Sequence, residues 1–160
     1  MVQYVLLLYS RRFSRQHPLS YPVTGSSQGI GRALLDAVLA AGERAIATLR
    51  RPEALASYTA KYPATQLLVL PLDVTSVEQI DAAFARAKEH FGRVDVVVNN
   101  AGYGLVAEIE GTPEAEARKC FETLFWGPFH IVQRVRLGVV AALARSDCLL
   151  VTGCSLHEGS

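Results

Sequence analysis

The stretch Val23-Thr24-Gly25-Ser26-Ser27-Gln28-Gly29-Ile30-Gly31 decides how this chain folds. An apolar run ends at Val23-Thr24 and three glycines follow. From Gly29 onward, Ile30, Leu34, Leu35, Val38 and Leu39 recur with a helical period and predict one apolar face over 29–41. A strand, a glycine-rich turn and a helix start together make an anion site. The first N–H groups of a helix have no partner within it, and its dipole presents a positive end there. Gly25 permits the tight turn. Gly29 and Gly31 let backbone and helix approach a pyrophosphate without a β-carbon. A P-loop is excluded, because Gly-Lys-Ser/Thr is absent from the turn.

Strand-like and helix-like segments alternate away from this turn. Gly42 stops the first helix and Arg44 to Leu49 forms a second apolar run. Pro52 opens the next helix at a position that tolerates proline. Leu67 to Leu72 predicts a third strand. Thr75 or Ser76 caps a helix carrying Ile80, Phe84, Ala87 and Phe91 at helical spacing. Val94 to Val98 is apolar nearly throughout, as suits a parallel strand covered on both faces. Thr112-Pro113 opens a long helical region with an expected break near Gly127-Pro128, and Cys148 to Thr152 predicts a fifth strand. The fold class expected is α/β, a Rossmann-type doubly wound parallel sheet of about five strands, incomplete at its C-terminal edge. Pro22 fits badly, since it falls inside a central strand; the expectation is a short first strand or a displaced segment before Val23.

Half of the 160 residues are hydrophobic, enough for one sizeable core. The sequence divides into an N-terminal extension, 1–18, expected to be poorly ordered, and one domain over 19–160. The net charge of +1, without a basic run, gives no case for nucleic acid. Cys120, Cys148 and Cys154 are too few and too irregular for a disulfide framework, and Cys154 with His157 lacks the further ligands of a metal site, so no metal is expected. Val5 to Tyr9 is too short to span a bilayer. Arg11, Arg12 and Arg15 precede the first acid, Asp36. Such a leader resembles a mitochondrial presequence, and a short extension of a cytoplasmic protein has the same composition. The cytoplasm is the expected compartment, with the mitochondrion as the alternative.

The spacing Thr24-Gly-x-x-x-Gly-x-Gly31 resembles the cofactor signature of the short-chain dehydrogenase/reductase family. Asn99-Asn100-Ala101-Gly102, after the fourth strand, is similar to the family's Asn-Asn-Ala-Gly motif. Asp73 in Leu-Asp-Val-Thr matches the acid that members place beside the adenine, and Ser155 aligns with the catalytic serine. The resemblance implies a nicotinamide dinucleotide held by Gly25, Ser27, Gly29, Ile30, Gly31, Asp73, Asn100, Ala101 and Gly102. Each landmark has a plainer alternative: Asp73 as a turn residue, Asn99 and Asn100 as a strand end tied by local hydrogen bonds, Ser155 as an exposed serine.

An NAD-preferring site places a carboxylate near the end of the second strand, where it accepts from the ribose hydroxyls. Here that position falls at Leu49, followed by Arg50 and Arg51. A guanidinium binds a 2′-phosphate bidentately, so NADP(H) is expected over NAD(H).

The resemblance also implies a catalytic tyrosine with a lysine, a serine and an asparagine. No Tyr-x-x-x-Lys occurs, and Tyr58-Thr-Ala-Lys61 has the wrong spacing. The segment 121–128 resembles the family's helix that carries the asparagine, and Leu124 stands at that position. The reading is therefore an alcohol–carbonyl oxidoreductase truncated after its fifth strand, whose activity as this chain alone is uncertain. The alternative is a non-catalytic nucleotide-binding remnant. A small, apolar substrate is expected from Tyr103, Leu105 and Val106 beside Gly102. Secondary metabolism is a common setting for the family, and a homo-oligomer is a further possibility.

Overall fold

The computed structural model describes residues 17–105, 107–137 and 149–152. Strand β1 spans Ser20–Thr24, β2 Arg44–Leu49, β3 Leu67–Pro71, β4 Val96–Asn99 and β5 Leu149–Thr152. Helix α1 spans Gly29–Ala40, α2 Ala56–Lys61 (entered through a 3₁₀ turn at Pro52–Leu55), α3 Val77–Phe91, α4 Glu114–Phe121 and α5 Gly127–Leu137. All strand pairs are parallel, in the order β3-β2-β1-β4-β5. The chain runs outward from β1 through β2 to β3, then returns to place β4 on the other side of β1. That reversal opens a crevice at the carboxyl ends of β1 and β4, where open α/β sheets bind ligands.

Two apolar layers sandwich the sheet. On one face Tyr21, Val23, Ala45, Ala47, Val96 and Val98 pack with Leu35, Val38 and Leu39 of α1. On the other, Ile46, Leu70 and Val97 pack with Ile80, Phe84 and Ala87 of α3 and Ile131 of α5. Alternate residues of β2 and β4 thus point into opposite layers, which is why these strands read as apolar throughout. Ser76 caps α3 by accepting from the Gln79 N–H at 3.3 Å. No helix among the described residues is long and apolar enough to cross a membrane.

Three expectations are corrected. Pro22 neither shortens nor displaces β1: the strand pairs with β2 without a gap from Ser20 to Thr24. The Ser20 carbonyl accepts from Asp95 N–H on the β4 side, and strand alternation turns Pro22 to that same side. The missing N–H is therefore lost to β4, against which β1 pairs only at Val23–Val98. The Asp95 carboxylate accepts from the Ser20 N–H at 2.9 Å, a separate tie between β1 and the segment before β4.

The expected break at Gly127-Pro128 is instead a π turn, Glu122–Trp126, through which α4 runs on into α5. The wider turn relieves the clash between a proline ring and the carbonyl four residues earlier. It also lets Gly127 sit against Val74, whose carbonyl oxygen would stand 2.9 Å from any β-carbon there.

Ile30 is 47% exposed and does not belong to the apolar face of α1. It projects at the helix start, beyond the reach of the sheet.

Candidate functional site

The Gly-rich turn is held by buried polar side chains. Thr24 ends β1 and is 2% exposed. Its Oγ1 accepts from the N–H groups of Asn100 and Ala101, both at 2.9 Å, and donates to the Val98 carbonyl at 3.3 Å. The Asn100 amide returns the connection, with Nδ2 donating to the carbonyls of Thr24 (3.0 Å) and Gly25 (3.3 Å). Ser26, fully buried, donates to the carbonyls of Val23 (2.7 Å) and Thr48 (3.3 Å) and so ties the turn to β2. The turn is clamped from both neighbouring strands before any ligand arrives.

The glycines are set by this clamp. Gly25 has φ +68°, and a β-carbon on it would meet Ala101 Cα at 2.9 Å. At Gly31 a β-carbon would stand 2.3 Å from the Gly25 carbonyl oxygen and 2.5 Å from Asn100 Nδ2. Gly29 differs: nothing lies within 4 Å of its β-carbon position, so its outer face is open. Gln28 precedes α1 without a side-chain cap, and no acid occupies the first turn. The free N–H groups and positive end of α1 therefore remain available beside that open face, which fits a pyrophosphate.

The other candidates lie along the same edge of the sheet. Arg50 and Arg51 follow β2 directly and are exposed; among the described residues neither side chain has a hydrogen bond or ion pair. Leu49, where an NAD-preferring site carries its acid, is buried in the core. Asp73 follows β3, and its Oδ1 accepts from the N–H (3.0 Å) and hydroxyl (2.8 Å) of Thr75. That is the turn role expected of an aspartate before a helix. Ala101 and Gly102 follow β4, and Ala101 borders the turn. Asn99 is 2% exposed, and neither polar atom of its side chain has a partner among the described residues. Ser155 lies outside the described residues, as do 1–16, Val106, Cys148, Cys154 and His157.

Leu124, within the π turn, stands against Gly102: its Cδ2 would be 2.6 Å from a β-carbon there. Tyr103 is half-buried and Leu105 exposed on the following loop. Glu78 has its carboxyl held below the ordinary value by its own backbone N–H and by the Ser76 hydroxyl. Lys119 is raised by its hydrogen bond to Glu116. Both are exposed and neither bonds to the turn.

Sequence reasoning took Asn100 as a nucleotide contact and passed over Thr24 and Ser26 as clamps. Their signal was present, since hydroxyls at a strand end flanking a glycine seldom serve packing alone. Which backbone groups they reach, however, depends on strands far away in sequence.

These landmarks coincide with a known pattern. Residues 21–155 match the sequence pattern described as short chain dehydrogenase. The chain belongs to the short-chain dehydrogenase family. An uncharacterised oxidoreductase of Schizosaccharomyces pombe is 43% identical over 111 residues, 69% of this chain and 36% of that protein. Galactitol 2-dehydrogenase of Agrobacterium fabrum is 35% identical over 129 residues, 80% of this chain and 49% of that one. Among solved structures, a short-chain dehydrogenase from Streptomyces avermitilis is similar with a TM-score of 0.77 and 39% identity, over 88% of this chain and 50% of that. An NADPH-bound carbonyl reductase from chicken fatty liver is similar with a TM-score of 0.67 and 27% identity, over 73% of this chain and 50% of that. The chain thus spans between about a third and a half of the relatives it matches. The sheet order and the Gly-rich turn agree with that membership.

Proposed function

We propose that this chain binds NADP(H) in preference to NAD(H). In this reading it forms the nucleotide-binding part of an oxidoreductase that interconverts an alcohol with a ketone or aldehyde on a small, apolar metabolite. The carrying observation is a juxtaposition at the carboxyl edge of the sheet. An uncapped, acid-free helix start stands beside two unpaired arginines, where an NAD-preferring site has a carboxylate. The bound nicotinamide supplies or accepts the hydride. The residues of the chain hold and orient: Gly25, Ser27, Gly29, Ile30 and Gly31 the pyrophosphate, Arg50 the 2′-phosphate, and Asp73 the adenine. Asn100, Ala101 and Gly102 hold the nucleotide beyond the turn. Ser155 is proposed to orient the substrate oxygen, with Tyr103 and Leu105 as an apolar wall.

Titration of the purified chain with NADPH and NADH tests this reading. NADPH is expected to bind more tightly. Arg50→Glu is expected to raise the NADPH dissociation constant by about a hundredfold while moving that of NADH less than about threefold, because a guanidinium–phosphate pair is replaced by like charges. Equal constants in the unsubstituted chain would sink the preference.

A second reading, a nucleotide-binding protein without catalysis, is favoured by Leu124. At the place the family gives an asparagine it presents an alkyl chain to Gly102. Such a side chain neither relays a proton nor holds a water. Sustained NADPH oxidation with a panel of ketones and aldehydes would overturn this second reading.

The chain is further proposed to self-associate through α4 and α5. Phe121, Phe125, Trp126 and Phe129 are exposed there, with the Phe125 and Phe129 rings stacked at 6.2 Å. An apolar patch of this kind marks an association surface, and a helix pair paired about a two-fold axis covers it in one step. Trp126→Glu is expected to halve the mass measured by light scattering. An unchanged mass would remove this surface from the account.

A further inference from the structure

Arg32 stands in the first turn of α1, where a cation opposes the helix dipole and no acid offsets it. Its position therefore needs another explanation. The guanidinium Nη2 donates to the Ser27 carbonyl at 2.8 Å and reaches the Ala54 carbonyl at 3.4 Å. Its Cζ lies 4.7 Å above the Tyr58 ring, within cation–π range. Tyr58 in turn donates from its hydroxyl to Asp36 Oδ1, one turn further along α1, at 2.5 Å. The nearest acid on the helix is thus engaged by the tyrosine, and no ion pair neutralises Arg32 among the described residues. Its Nε is buried without a partner.

These contacts join two segments that the backbone leaves separate. Ser27 belongs to the Gly-rich turn, whereas Ala54 and Tyr58 belong to the 3₁₀ turn and α2 that follow β2. Arg50 leaves β2 between them. We propose that Arg32 is a specificity-determining positioning residue. By clamping the Gly-rich turn to the β2–α2 connection, it fixes the gap between the turn and the segment that carries Arg50. Its own unneutralised charge biases that gap toward a phosphate monoester on the adenosine ribose. The inference rests on the NADP(H) reading above, yet assigns the selectivity to a residue outside the strand end. Planarity matters as well as charge, because one guanidinium serves two carbonyls and a ring face; a lysine cannot do all three.

The test uses the full chain and three probes: NADPH, NADH and 2′,5′-ADP, titrated by calorimetry. For Arg32→Met the dissociation constants of NADPH and 2′,5′-ADP are expected to rise by about tenfold or more, with NADH changing less than about twofold. Arg32→Lys is expected to fall between, restoring charge without the fork. Tyr58→Leu leaves both Arg32 hydrogen bonds possible but removes the ring that holds the guanidinium flat. It is expected to shift the phosphorylated probes in the same direction, and it carries the test if Arg32→Met melts early. A uniform loss for all three probes would make Arg32 merely structural and overturn the inference. If the unsubstituted chain prefers NADPH and the variants keep that preference intact, the inference fails while the NADP(H) reading stands. If the unsubstituted chain does not discriminate, both fall.

Discussion

Gly31→Ala is expected to lose dinucleotide binding by more than about a hundredfold and to destabilise the fold by about 2–3 kcal/mol, the upper range for overpacking. The new methyl would lie 2.3 Å from the Gly25 carbonyl oxygen, 2.9 Å from the Gly25 carbonyl carbon and 2.5 Å from Asn100 Nδ2. Two of these atoms are backbone, and the third ends a side chain that is itself hydrogen-bonded. Gly25 has little room to retreat, because even a β-carbon on it would lie 2.9 Å from Ala101 Cα. Asn100 is held by its bonds to Thr24 and Gly25. The helix start must therefore move away from the turn, which takes its N–H groups away from the anion. At about 2–4 °C per kcal/mol for a chain of this size, the melting temperature falls by roughly 5–10 °C. Thermal melts by circular dichroism and titration with NADPH check both parts. Gly29→Ala is the control. Its methyl meets nothing, so only the left-handed backbone, φ +57°, opposes it, at a cost of about 1–2 kcal/mol. An alanine at 31 that melts and binds like the parent would refute the clash argument.

Thr24→Val is expected to cost about 2–5 kcal/mol despite nearly equal volume. Valine fills the same space, so packing changes little. What it removes is the acceptor for two N–H groups, the buried one of Asn100 and the half-buried one of Ala101. An unsatisfied buried donor costs about 1–3 kcal/mol, and a second, half-buried one is created with it. The loss also uncouples the segment after β4 from the Gly-rich turn, so nucleotide affinity is expected to drop alongside stability. Thr24→Ser keeps the hydroxyl and gives up one buried methyl, expected at about 1 kcal/mol. Urea denaturation of the three proteins decides the matter. If serine and valine destabilise equally, the hydroxyl is not what holds the turn.

The two substitutions probe different parts of what could be read beforehand. Gly25 and Gly31 were legible as a pattern, because a tight turn running straight into a helix start leaves no room for β-carbons at those places. Ser76 was legible as a cap for a similar reason: a cap acts over three residues, and the Gln79 N–H lies within that span. Arg50 was legible by counting from the turn to the end of β2. By contrast, the acceptor role of Thr24 joins residues 76 and 77 positions apart, and no local rule reports it.

The same distinction explains the corrections. Helical periodicity assigns Ile30 to the apolar face, but periodicity does not say where the sheet ends beneath a helix. Pro22 breaks a rule for central strands, yet the rule counts a missing donor without knowing which neighbour loses it. Here the loss falls toward β4, with which β1 pairs only at Val23–Val98. Pro128 signals a break, and the helix answers with a π turn because Gly127 can then pack on Val74.

By itself the sequence determined the α/β alternation, the Gly-rich turn between strand and helix and the arginines after β2, since period, capping and turn chemistry act over a few residues and are written in them. Only the tertiary structure decided that Thr24, Ser26 and Asn100 clamp that turn, that Arg32 bridges it to the connection after β2, and that Leu124 stands against Gly102. Each of these joins segments brought together by parallel pairing and helix packing, and such contacts are set by where the strands lie in the sheet rather than by their neighbours in the chain.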